Sequence, residues 1–299
     1  MSAETPMPEI TELILAAGGA ELLRCMQCGT CTGVCPWPPR RRFSPRQVLR
    51  LAALGLSGYE ADGVWTCVGC ASCNLRCPRG IDVIEVLRSV RALLHESGGG
   101  PKSFRAPLAS LRSQGNPWMG EREERGPFAA GLGLPRFSNS AETLLFFCCT
   151  QVWDPRNRRV AEALVAVLRR AGQALATLEP ELGCCGDQAR RVGAVELDQL
   201  LRQANRQLLQ RHGVRRAVVS SPHCLQALRL DAPGGVGEEL LAVRHHTQLL
   251  QELLARGALA PALPVPVRAV FHDPCYLGRH AGEYEAPRAV LRAIPGLEL

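Results

Sequence analysis

Aromatic side chains are scarce in this sequence. Phe, Trp and Tyr together make up 5% of the 299 residues, so the hydrophobic cores must be built mainly from Leu, Val and Ala. Apolar runs long enough to cross a bilayer, about 18 residues or more, are also missing. The N-terminus lacks the basic, apolar and small-residue order of a secretory signal. These absences predict a cytoplasmic protein, which would lie at the inner face of a membrane only through a partner.

Nucleotide-binding motifs are missing as well. The sequence contains no Gly-rich dinucleotide fingerprint and no P-loop, so flavin or nicotinamide chemistry is assigned to a partner protein. The formal net charge is +7, largely from arginine, but the clustered basic run from Arg40 to Arg42 is short. We interpret the charge as a solvated surface and expect no nucleic-acid partner.

Cysteine is the residue in excess. The chain has 14 cysteines, and thiols stay reduced in the cytoplasm. This argues against a disulfide framework and favours metal binding or redox chemistry.

Two runs of cysteines share the spacing C-x2-C-x2-C-x3-C-P. The first run is Cys25, Cys28, Cys31 and Cys35, and the second is Cys67, Cys70, Cys73 and Cys77. This is the spacing of bacterial-type 4Fe-4S ligation, in which three cysteines of a run hold one cluster and the fourth reaches the other cluster. The predicted ligand sets are therefore crossed: Cys25, Cys28, Cys31 and Cys77 for one cluster, and Cys35, Cys67, Cys70 and Cys73 for the other. Zinc is the alternative, although zinc sites usually draw two cysteines from each of two separated knuckles.

The sequence pattern divides the chain into a helical part and an α/β part. Helices are predicted after Ser44, as N-cap, with Pro45 at the first helical position, and after Asp82, which has capping-box spacing to Glu85. From about residue 141, short apolar runs alternate with long amphipathic helices, which is typical of parallel βαβ units. The predicted strands are TLLFFCC, QALATLE, RRAVVSS, LAVRHH and VRAVFHD. The fold class is therefore α+β multidomain: an N-terminal α-helical ferredoxin domain followed by an α/β domain with parallel strands.

The domain boundaries follow from these changes in pattern. Residues 1–97 form the predicted ferredoxin domain, and 98–140 form a linker with Gly, Pro and charge but little periodicity. Residues 141–266 form a first α/β repeat. A weak internal echo, FFCCTQ before VAVLRRAG and FHDPCY before RAVLRAIPG, indicates a second repeat at 267–299 that looks cut short.

Further cysteines follow successive predicted strands: Cys148 and Cys149 the first, Cys184 and Cys185 the second, and Cys224 the third. Because the carboxyl ends of parallel strands meet at one edge of a sheet, we expect these thiols to converge. Gly186, directly behind the second pair, would let the backbone pass close to a bound cluster.

Several segments together are similar to a known family. FFCCTQVWDPR, LGCCGDQARRVG, SSPHC, VRHHTQLL and FHDPCYLGRHAGEYEAPRAVLRAIPGLEL resemble the cysteine-rich (CCG) domain of the heterodisulfide reductase D subunit. The N-terminal cysteine runs resemble the ferredoxin part of that family. Closely similar are the (Fe-S)-binding reductases that pair with electron-transfer flavoproteins or membrane cytochromes, and the iron–sulfur subunits of glycolate oxidase and anaerobic glycerol-3-phosphate dehydrogenase. On this resemblance, 141–266 is a first CCG repeat and 267–299 the truncated start of a second.

The resemblance implies a third iron–sulfur cluster, in the CCG domain. Its ligands would be Cys149, Cys184, Cys185 and Cys224. Ser221 replaces the first cysteine of the family's C-x-x-C, and of the second CCG pattern only Cys275 is present. Cys148 is the alternative to Cys149. Neighbouring residues on a strand point to opposite faces, so we expect one of the two to turn toward the site, and the family pattern selects Cys149.

Two further motifs match the family. His245 and His246 correspond to its paired histidines after a strand, where a histidine near a cluster donates a hydrogen bond or a proton, or is structural. Asp273 in HDPC is predicted to cap the following helix.

The leading interpretation of function is an iron–sulfur oxidoreductase subunit. Electrons would pass through the two 4Fe-4S clusters to the CCG-domain cluster, which reduces a disulfide or passes electrons to a quinone or cytochrome partner. The alternative, favoured by Ser221 and the incomplete second repeat, is a non-catalytic conduit in a flavoprotein dehydrogenase complex. A remote alternative is a zinc-stabilised scaffold. The expected partners are a flavoprotein dehydrogenase or an electron-transfer flavoprotein, together with a membrane cytochrome.

Overall fold

The computed structural model describes residues 5–37, 43–59, 63–138, 143–230 and 241–299. The basic run from Arg40 to Arg42 lies outside the described residues. Two units make up the chain: the first contains Met1–Arg105 together with Gln188–Asp198, and the second contains Ala106–Asp187 and Gln199–Leu299.

The first unit is helical, as the sequence predicts. Its elements are α1 (Pro8–Ile14), α2 (Thr30–Gly33), α3 (Pro45–Ala53), α4 (Ser72–Arg76) and α5 (Val83–Glu96), a π-helix at Leu15–Gly19, and 3-10 turns at Leu22–Arg24, Val64–Thr66 and Lys102–Phe104. Both predicted N-caps are confirmed. The Gln47 N–H donates to Ser44 Oγ at 3.3 Å, and the Glu85 N–H donates to Asp82 Oδ1 at 2.9 Å. Each such cap stabilises its helix by about 1 kcal/mol.

Helix α5 supplies the centre of the core of this unit. Its buried apolar residues include Val86, Leu87 and Val90, which belong to one cluster with Ile14 and Leu49. Partly buried cysteines of both runs pack against this cluster: Cys25, Cys31, Cys35, Cys67 and Cys77. The core therefore provides the fixed surface on which the two cysteine-bearing loops are placed.

A short segment, residues 188–198, completes the first unit and holds the loop that carries the second cysteine run. Arg191 Nη2 donates to the Val68 carbonyl at 3.1 Å. The buried Arg91 donates to the carbonyls of Arg191, at 2.7 Å, and of Cys67, at 2.8 Å. Two arginines thus fix the backbone at the start of this run.

Gly193 has a conformation and an environment that only glycine tolerates. Its φ is +80°, and an added Cβ would lie 2.5 Å from the backbone of Arg91 and Ala92. A left-handed backbone alone costs an L-residue about 1–2 kcal/mol. We expect Gly193→Ala to destabilise the unit by clearly more than this, because the packed backbone must also move.

Gly98→Ala is the matched control for this prediction, to be compared by urea unfolding followed by far-UV circular dichroism. Gly98 has a similar φ of +78°, but no atom lies within 4 Å of an added Cβ. Its alanine variant should show only the cost of the backbone conformation. Equal losses of unfolding free energy in the two variants would contradict the close approach of residue 193 to α5.

The second unit is built on a parallel sheet. Its strands are β1 (Thr143–Phe146), β2 (Leu175–Ala176), β3 (Arg216–Val219) and β4 (Ala242–His245), in the order β2-β1-β3-β4 with every neighbouring pair parallel. Its helices are α6 (Arg105–Gln114), α7 (Arg125–Gly131), α8 (Cys149–Trp153), α9 (Pro155–Arg170), α10 (Asp187–Arg191), α11 (Val195–Arg211), α12 (Pro222–Leu230), α13 (His246–Ala255) and α14 (Glu285–Arg292), with a 3-10 turn at Arg122–Glu124 and a π-helix at Tyr276–His280. Residues 188–198 of α10, α11 and the turn between them group with the first unit. The prediction of a parallel α/β domain is confirmed.

One predicted strand, VRAVFHD, is not a strand in the structure. The described residues 267–273 form only an isolated bridge, between Arg268 and Glu298, and the Val270 side chain is 99% exposed. Its alternating apolar pattern is that of a strand, but the four-stranded sheet ends at β4 without pairing to it. Because the segment pairs with neither edge of this sheet, its alternating pattern alone does not produce a strand.

The segment predicted as a linker, 98–140, contains α6 and α7. Phe128, Leu132 and Leu134 are buried in the core of the second unit, and Arg125 is fully buried. The helical pattern is hard to see in the sequence because a charged residue occupies an inward position and because Gly and Pro interrupt the segment. This part of the chain belongs to the packed structure around the second group of cysteines.

Candidate iron–sulfur sites

The first cysteine-lined cavity draws on both runs of the first unit. Its lining includes Cys25, Cys28 and Cys31 of the first run and Cys77 of the second. Leu49, Ile81 and Val83 contribute apolar walls. The Thr30 hydroxyl, 3.4 Å from Cys28 Sγ, lowers the pKa of the Cys28 thiol.

The second cavity of this unit has the complementary lining. It is bordered by Cys35, Cys67, Cys70 and Cys73, with Cys31, Trp37, Phe43 and Ile84 among its other walls. Burial raises the pKa of the Cys73 thiol to about 12 and raises that of Cys35 as well. Cys31 lines both cavities, so the two lie side by side. The structure thus brings together the same two groups of four cysteines that the spacing predicts.

The arrangement of these donors fits a cluster better than a single ion. Within the described part of the chain, no three His, Cys, Asp or Glu side chains are placed to hold one metal ion together. A zinc site needs its ligands to converge on a single centre, whereas the thiolates of an iron–sulfur cluster bind different irons and surround a larger volume. The cysteines of each set border one cavity from several sides, which matches the second requirement.

In the second unit, cysteines meet at the carboxyl edge of the sheet. Cys148 and Cys149 follow β1, Cys184 and Cys185 follow β2, and Cys224 lies in the first turn of α12, which follows β3. The predicted ligands Cys149, Cys184, Cys185 and Cys224 are 3–6% exposed. The parallel strands thus bring these thiols to one place, as their order along the chain predicts.

These thiols form one continuous series of side-chain contacts. The series runs from Cys149 to Cys184, Cys185, Cys224 and Cys148. Cys148 also contacts the Ser221 hydroxyl. The pKa of Cys148 falls to about 5, chiefly because it accepts the hydrogen bond from Cys224. The contacts run from thiol to thiol instead of converging on one point, as a site for several irons requires.

Cys148 therefore lies in the same group as Cys149, and the prediction that only one of the two faces the site is wrong. The alternation rule applies to residues within a strand, but β1 ends at Phe146. Cys148 is instead the N-cap of α8. The change from extended to helical backbone between the two residues lets both thiols reach the site.

Arg125 is a buried cation beside this group. Its guanidinium pairs with Glu179 through two hydrogen bonds, of 2.6 and 2.7 Å, and donates to the Phe147 carbonyl at 3.0 Å. Its Nη1 lies 3.7 Å from Cys149 Sγ. The pKa of Cys149 is raised well above its usual value by the hydrogen bond to Cys184 and by burial, and the charge of Arg125 opposes this rise. Sequence reasoning missed Arg125 because it lies in the predicted linker.

The backbone around Cys184 and Cys185 is held by polar contacts that could not be predicted from the sequence. Asn205 Nδ2 donates to the Cys184 carbonyl at 2.8 Å, and Asn205 Oδ1 accepts from the Gly183 N–H at 2.9 Å. The Cys184 N–H donates to the Gly115 carbonyl at 2.7 Å. Gly186 has a φ of +90°, so the chain turns in a conformation that favours glycine. These contacts fix the direction of both thiols.

A second polar group that the sequence analysis missed adjoins the thiols. His223 Nδ1 lies 2.8 Å from Asp187 Oδ2, and the His223 ring lies against Tyr276, with 3.8 Å between ring centroids. Both residues lie within two positions of a predicted ligand, Cys224 or Cys185. Their closeness in sequence to these cysteines is the feature by which His223 and Asp187 could have been identified.

The paired histidines are packed as structural residues. His245 caps α13, its Nδ1 lies 2.8 Å from Thr247 Oγ1, and its Nε2 lies 3.0 Å from the Ser220 carbonyl. Burial lowers the pKa of His245 to about 4 and that of His246 to about 3. Both are therefore neutral near pH 7. Through Ser220, His245 supports the loop that leads to Ser221.

The HDPC motif has a different role from the one predicted. The Asp273 carboxylate pairs with Arg288 through hydrogen bonds of 2.6 and 2.7 Å, which lowers the pKa of Asp273. It does not cap the following helical turn, whose N-cap is Cys275. The carboxylate prefers the charged partner on α14 to the backbone N–H groups of a short turn.

Family comparisons agree with this geometry. The model of the 4Fe-4S dicluster domain matches residues 21–81, and the model of the cysteine-rich (CCG) domain matches residues 143–229 and 269–299. No helix in the described ranges is long and apolar enough to span a bilayer. The chain is thus a two-part iron–sulfur protein, with a helical dicluster domain and a CCG domain.

Curated relatives define the family further. Over its whole length the chain is 29% identical to the D subunit of the dihydromethanophenazine:CoB–CoM heterodisulfide reductase of Methanosarcina barkeri, of which it covers 79%. It is 35% identical to the EtfAB:quinone oxidoreductase of Syntrophomonas wolfei over 79% of the chain and 34% of the relative. It is 28% identical to the probable iron-sulfur-binding oxidoreductase FadF of Bacillus subtilis over 93% of the chain and 48% of the relative. The chain belongs to the iron–sulfur proteins related to the heterodisulfide reductase D subunit, and it spans half or less of the two longer relatives.

We expect Arg125→Ala to destabilise the second unit strongly. The substitution leaves the carboxylate of Glu179 buried without its partner, and breaking a buried ion pair in this way costs about 3–5 kcal/mol. Urea unfolding of the full chain measures the loss.

Arg136→Ala is the matched control, since Arg136 forms an ion pair with the nearby Glu181 at the surface. Exposed pairs of this kind contribute about 1 kcal/mol or less. A loss for Arg125→Ala no larger than that for Arg136→Ala would show that the buried pair is not needed for folding.

Proposed function

We propose that this chain is an electron-transfer subunit of a larger oxidoreductase, with two 4Fe-4S clusters in its first unit and a third iron–sulfur centre in its second. The observation that supports this most directly is the lining of the two cavities, each bordered by three cysteines of one run and the last cysteine of the other. A scaffold held by isolated zinc ions does not require each run to contribute its last cysteine to the cavity of the other run.

In the first unit, Cys25, Cys28, Cys31 and Cys77 would hold one cluster, and Cys35, Cys67, Cys70 and Cys73 the other. Bound clusters would supply one-electron transfer at potentials set by burial and by hydrogen bonds to sulfur. The protein provides both. Gln27 Nε2 donates to Cys25 Sγ at 3.3 Å, and the Gly69 N–H donates to Cys67 Sγ at 3.4 Å, while apolar side chains line part of each cavity.

In the second unit, Cys149, Cys184, Cys185 and Cys224 would hold the third centre. These thiols are at most 6% exposed, so a disulfide substrate has little access to their sulfurs. Arg125 places positive charge beside Cys149, which stabilises added electrons. Burial therefore favours a conduit, which passes electrons to a partner, over a site that cleaves a disulfide directly.

The partners follow from the missing cofactor motifs and from the relatives. The chain has no nucleotide-binding fingerprint, and one relative is named an EtfAB:quinone oxidoreductase. We propose a flavoprotein dehydrogenase or an electron-transfer flavoprotein as donor and a quinone- or cytochrome-linked acceptor. The chain would work in the cytoplasm, at the inner face of the membrane where that acceptor lies.

The crossed ligation is tested by Cys77→Ser. Purified anaerobically, this variant should lose the EPR signal that Cys28→Ser loses, because both residues line the first cavity. Cys35→Ser is the matched variant and should lose the signal that Cys70→Ser loses. If Cys77→Ser instead reproduces the spectrum of Cys70→Ser, each run binds its own cluster and the crossed assignment is wrong.

The conduit role predicts dependence on a partner. The chain, reduced anaerobically with dithionite, should not turn over an organic disulfide, whereas affinity purification from its native cell should bring down a flavoprotein that reduces its clusters. Steady disulfide reduction by the isolated chain would instead support a catalytic CCG site. Reduction of the clusters by a small-molecule donor at the rate of the complex would argue against a separate donor protein.

A further inference from the structure

We infer that Cys148 supplies a fifth thiolate to the centre in the second unit and takes the place of the cysteine that Ser221 replaces. The inference rests on the third iron–sulfur centre proposed above. It assigns to this chain a ligand outside the family pattern, which selects Cys149 alone from the first pair. The family's CCG pattern has five cysteines around one site. With Cys148 in place of the cysteine at position 221, this chain would also have five.

The position of Cys148 carries the first part of the argument. Of the five clustered thiols, it is the one that contacts both the Ser221 hydroxyl and the Cys224 thiol. Residues 221 and 224 are the two ends of the C-x-x-C segment. The sulfur of Cys148 therefore lies beside the side chain that replaces the family's cysteine at position 221.

The order of the strands explains how one pair of residues reaches both sides of the site. β1 lies between β2 and β3. Cys149 contacts Cys184, in the segment after β2, and Cys148 contacts Cys224, in the segment after β3. Cys148, which follows the central strand β1, is thus placed to replace the cysteine that is missing from the segment after β3.

A second contact fixes Cys148 against the loop of Ser221. The Cys148 N–H donates to Gln151 Oε1 at 3.2 Å, and the same oxygen accepts from Ser220 Oγ at 2.5 Å. Gln151 is buried and so ties the start of α8 to the residue before Ser221. The backbone of Cys148 is thus tied, through the Gln151 side chain, to the residue before Ser221.

Chemistry favours the thiol over the hydroxyl at this place. A thiolate is the form of cysteine that binds metal, and four other thiols already lie at this edge of the sheet. Ser221 serves as a polar neighbour of the Cys148 sulfur.

The test uses Cys148→Ser, Ser221→Cys and the double variant in the full chain, with iron and sulfide analysis, EPR and Mössbauer spectroscopy after anaerobic purification. Serine is a preferred N-cap, so Cys148→Ser preserves the capping of α8 and removes only the thiol. We expect this variant to lose the wild-type signal of the third centre and the double variant to recover most of it. Ser221→Cys alone should keep a five-thiolate site.

Cys275→Ser is the matched control, because Cys275 lies in the same unit but outside the chain of thiol contacts; it should leave the signal unchanged. The signals of the two 4Fe-4S clusters report folding in every variant. A wild-type signal in Cys148→Ser, or no recovery in the double variant, overturns the role of Cys148. If the wild-type protein contains only about eight irons, the third centre does not exist. That result would contradict the proposed function itself, and the iron count distinguishes it from a failure of the Cys148 assignment alone.

Discussion

The burial of thiolate charge is the constraint on which the second unit depends. A cluster binds deprotonated cysteines, and a buried anion without compensation costs several kcal/mol. Four of the thiols at the sheet edge are at most 6% exposed, so water cannot stabilise them. In the centre proposed there, positive charge would have to come from the iron and from the protein, and the protein contributes Arg125.

The buried guanidinium of Arg125 is also a charge that needs compensation, and the carboxylate of Glu179 provides it. The guanidinium gives two hydrogen bonds to this carboxylate and a third to the Phe147 carbonyl, and its remaining amino group faces Cys149. The pair is nearly neutral as a whole, but its positive end lies toward the sulfur. This explains why the segment around α7 is folded into the core: Arg125 has to be held from a direction that no strand of the sheet provides.

The first unit meets the same constraint by other means. Its cysteines are mostly half-buried, and Cys28 is exposed, so water can stabilise part of their charge. Their sulfurs also receive hydrogen bonds from nearby groups, such as the Gln27 amide and the Gly69 N–H. Contacts over two residues suffice here because each run folds as a tight loop around its cavity.

This difference decides how much of each site the sequence predicts. The ferredoxin cysteines could be grouped from spacing alone, and the caps at Ser44 and Asp82 from residues three positions apart, because those interactions are local. The parallel sheet was predictable from the alternation of short apolar runs with helices. Arg125 and Asn205 were not, since each acts on a cysteine more than 20 residues away and nothing in its own neighbourhood marks it. Cys148 was misjudged for a local reason, because the alternation rule was applied two residues past the end of β1.

The adjacent cysteines follow from the same topology. In a sheet ordered β2-β1-β3, the segments after the three strands meet at one edge, and the segment after the central strand β1 has a neighbour on each side. A single cysteine after β1 would touch only one of them. The pair at 148 and 149 contacts Cys224 on one side and Cys184 on the other, while the pair at 184 and 185 contacts Cys149 and Cys224 in turn. Two adjacent cysteines thus let one segment contact both of the others. The φ of +90° at Gly186 turns the chain away directly after the second pair. Two consecutive thiols, which cannot readily bridge each other, serve here as the link between segments some 35 residues apart in sequence.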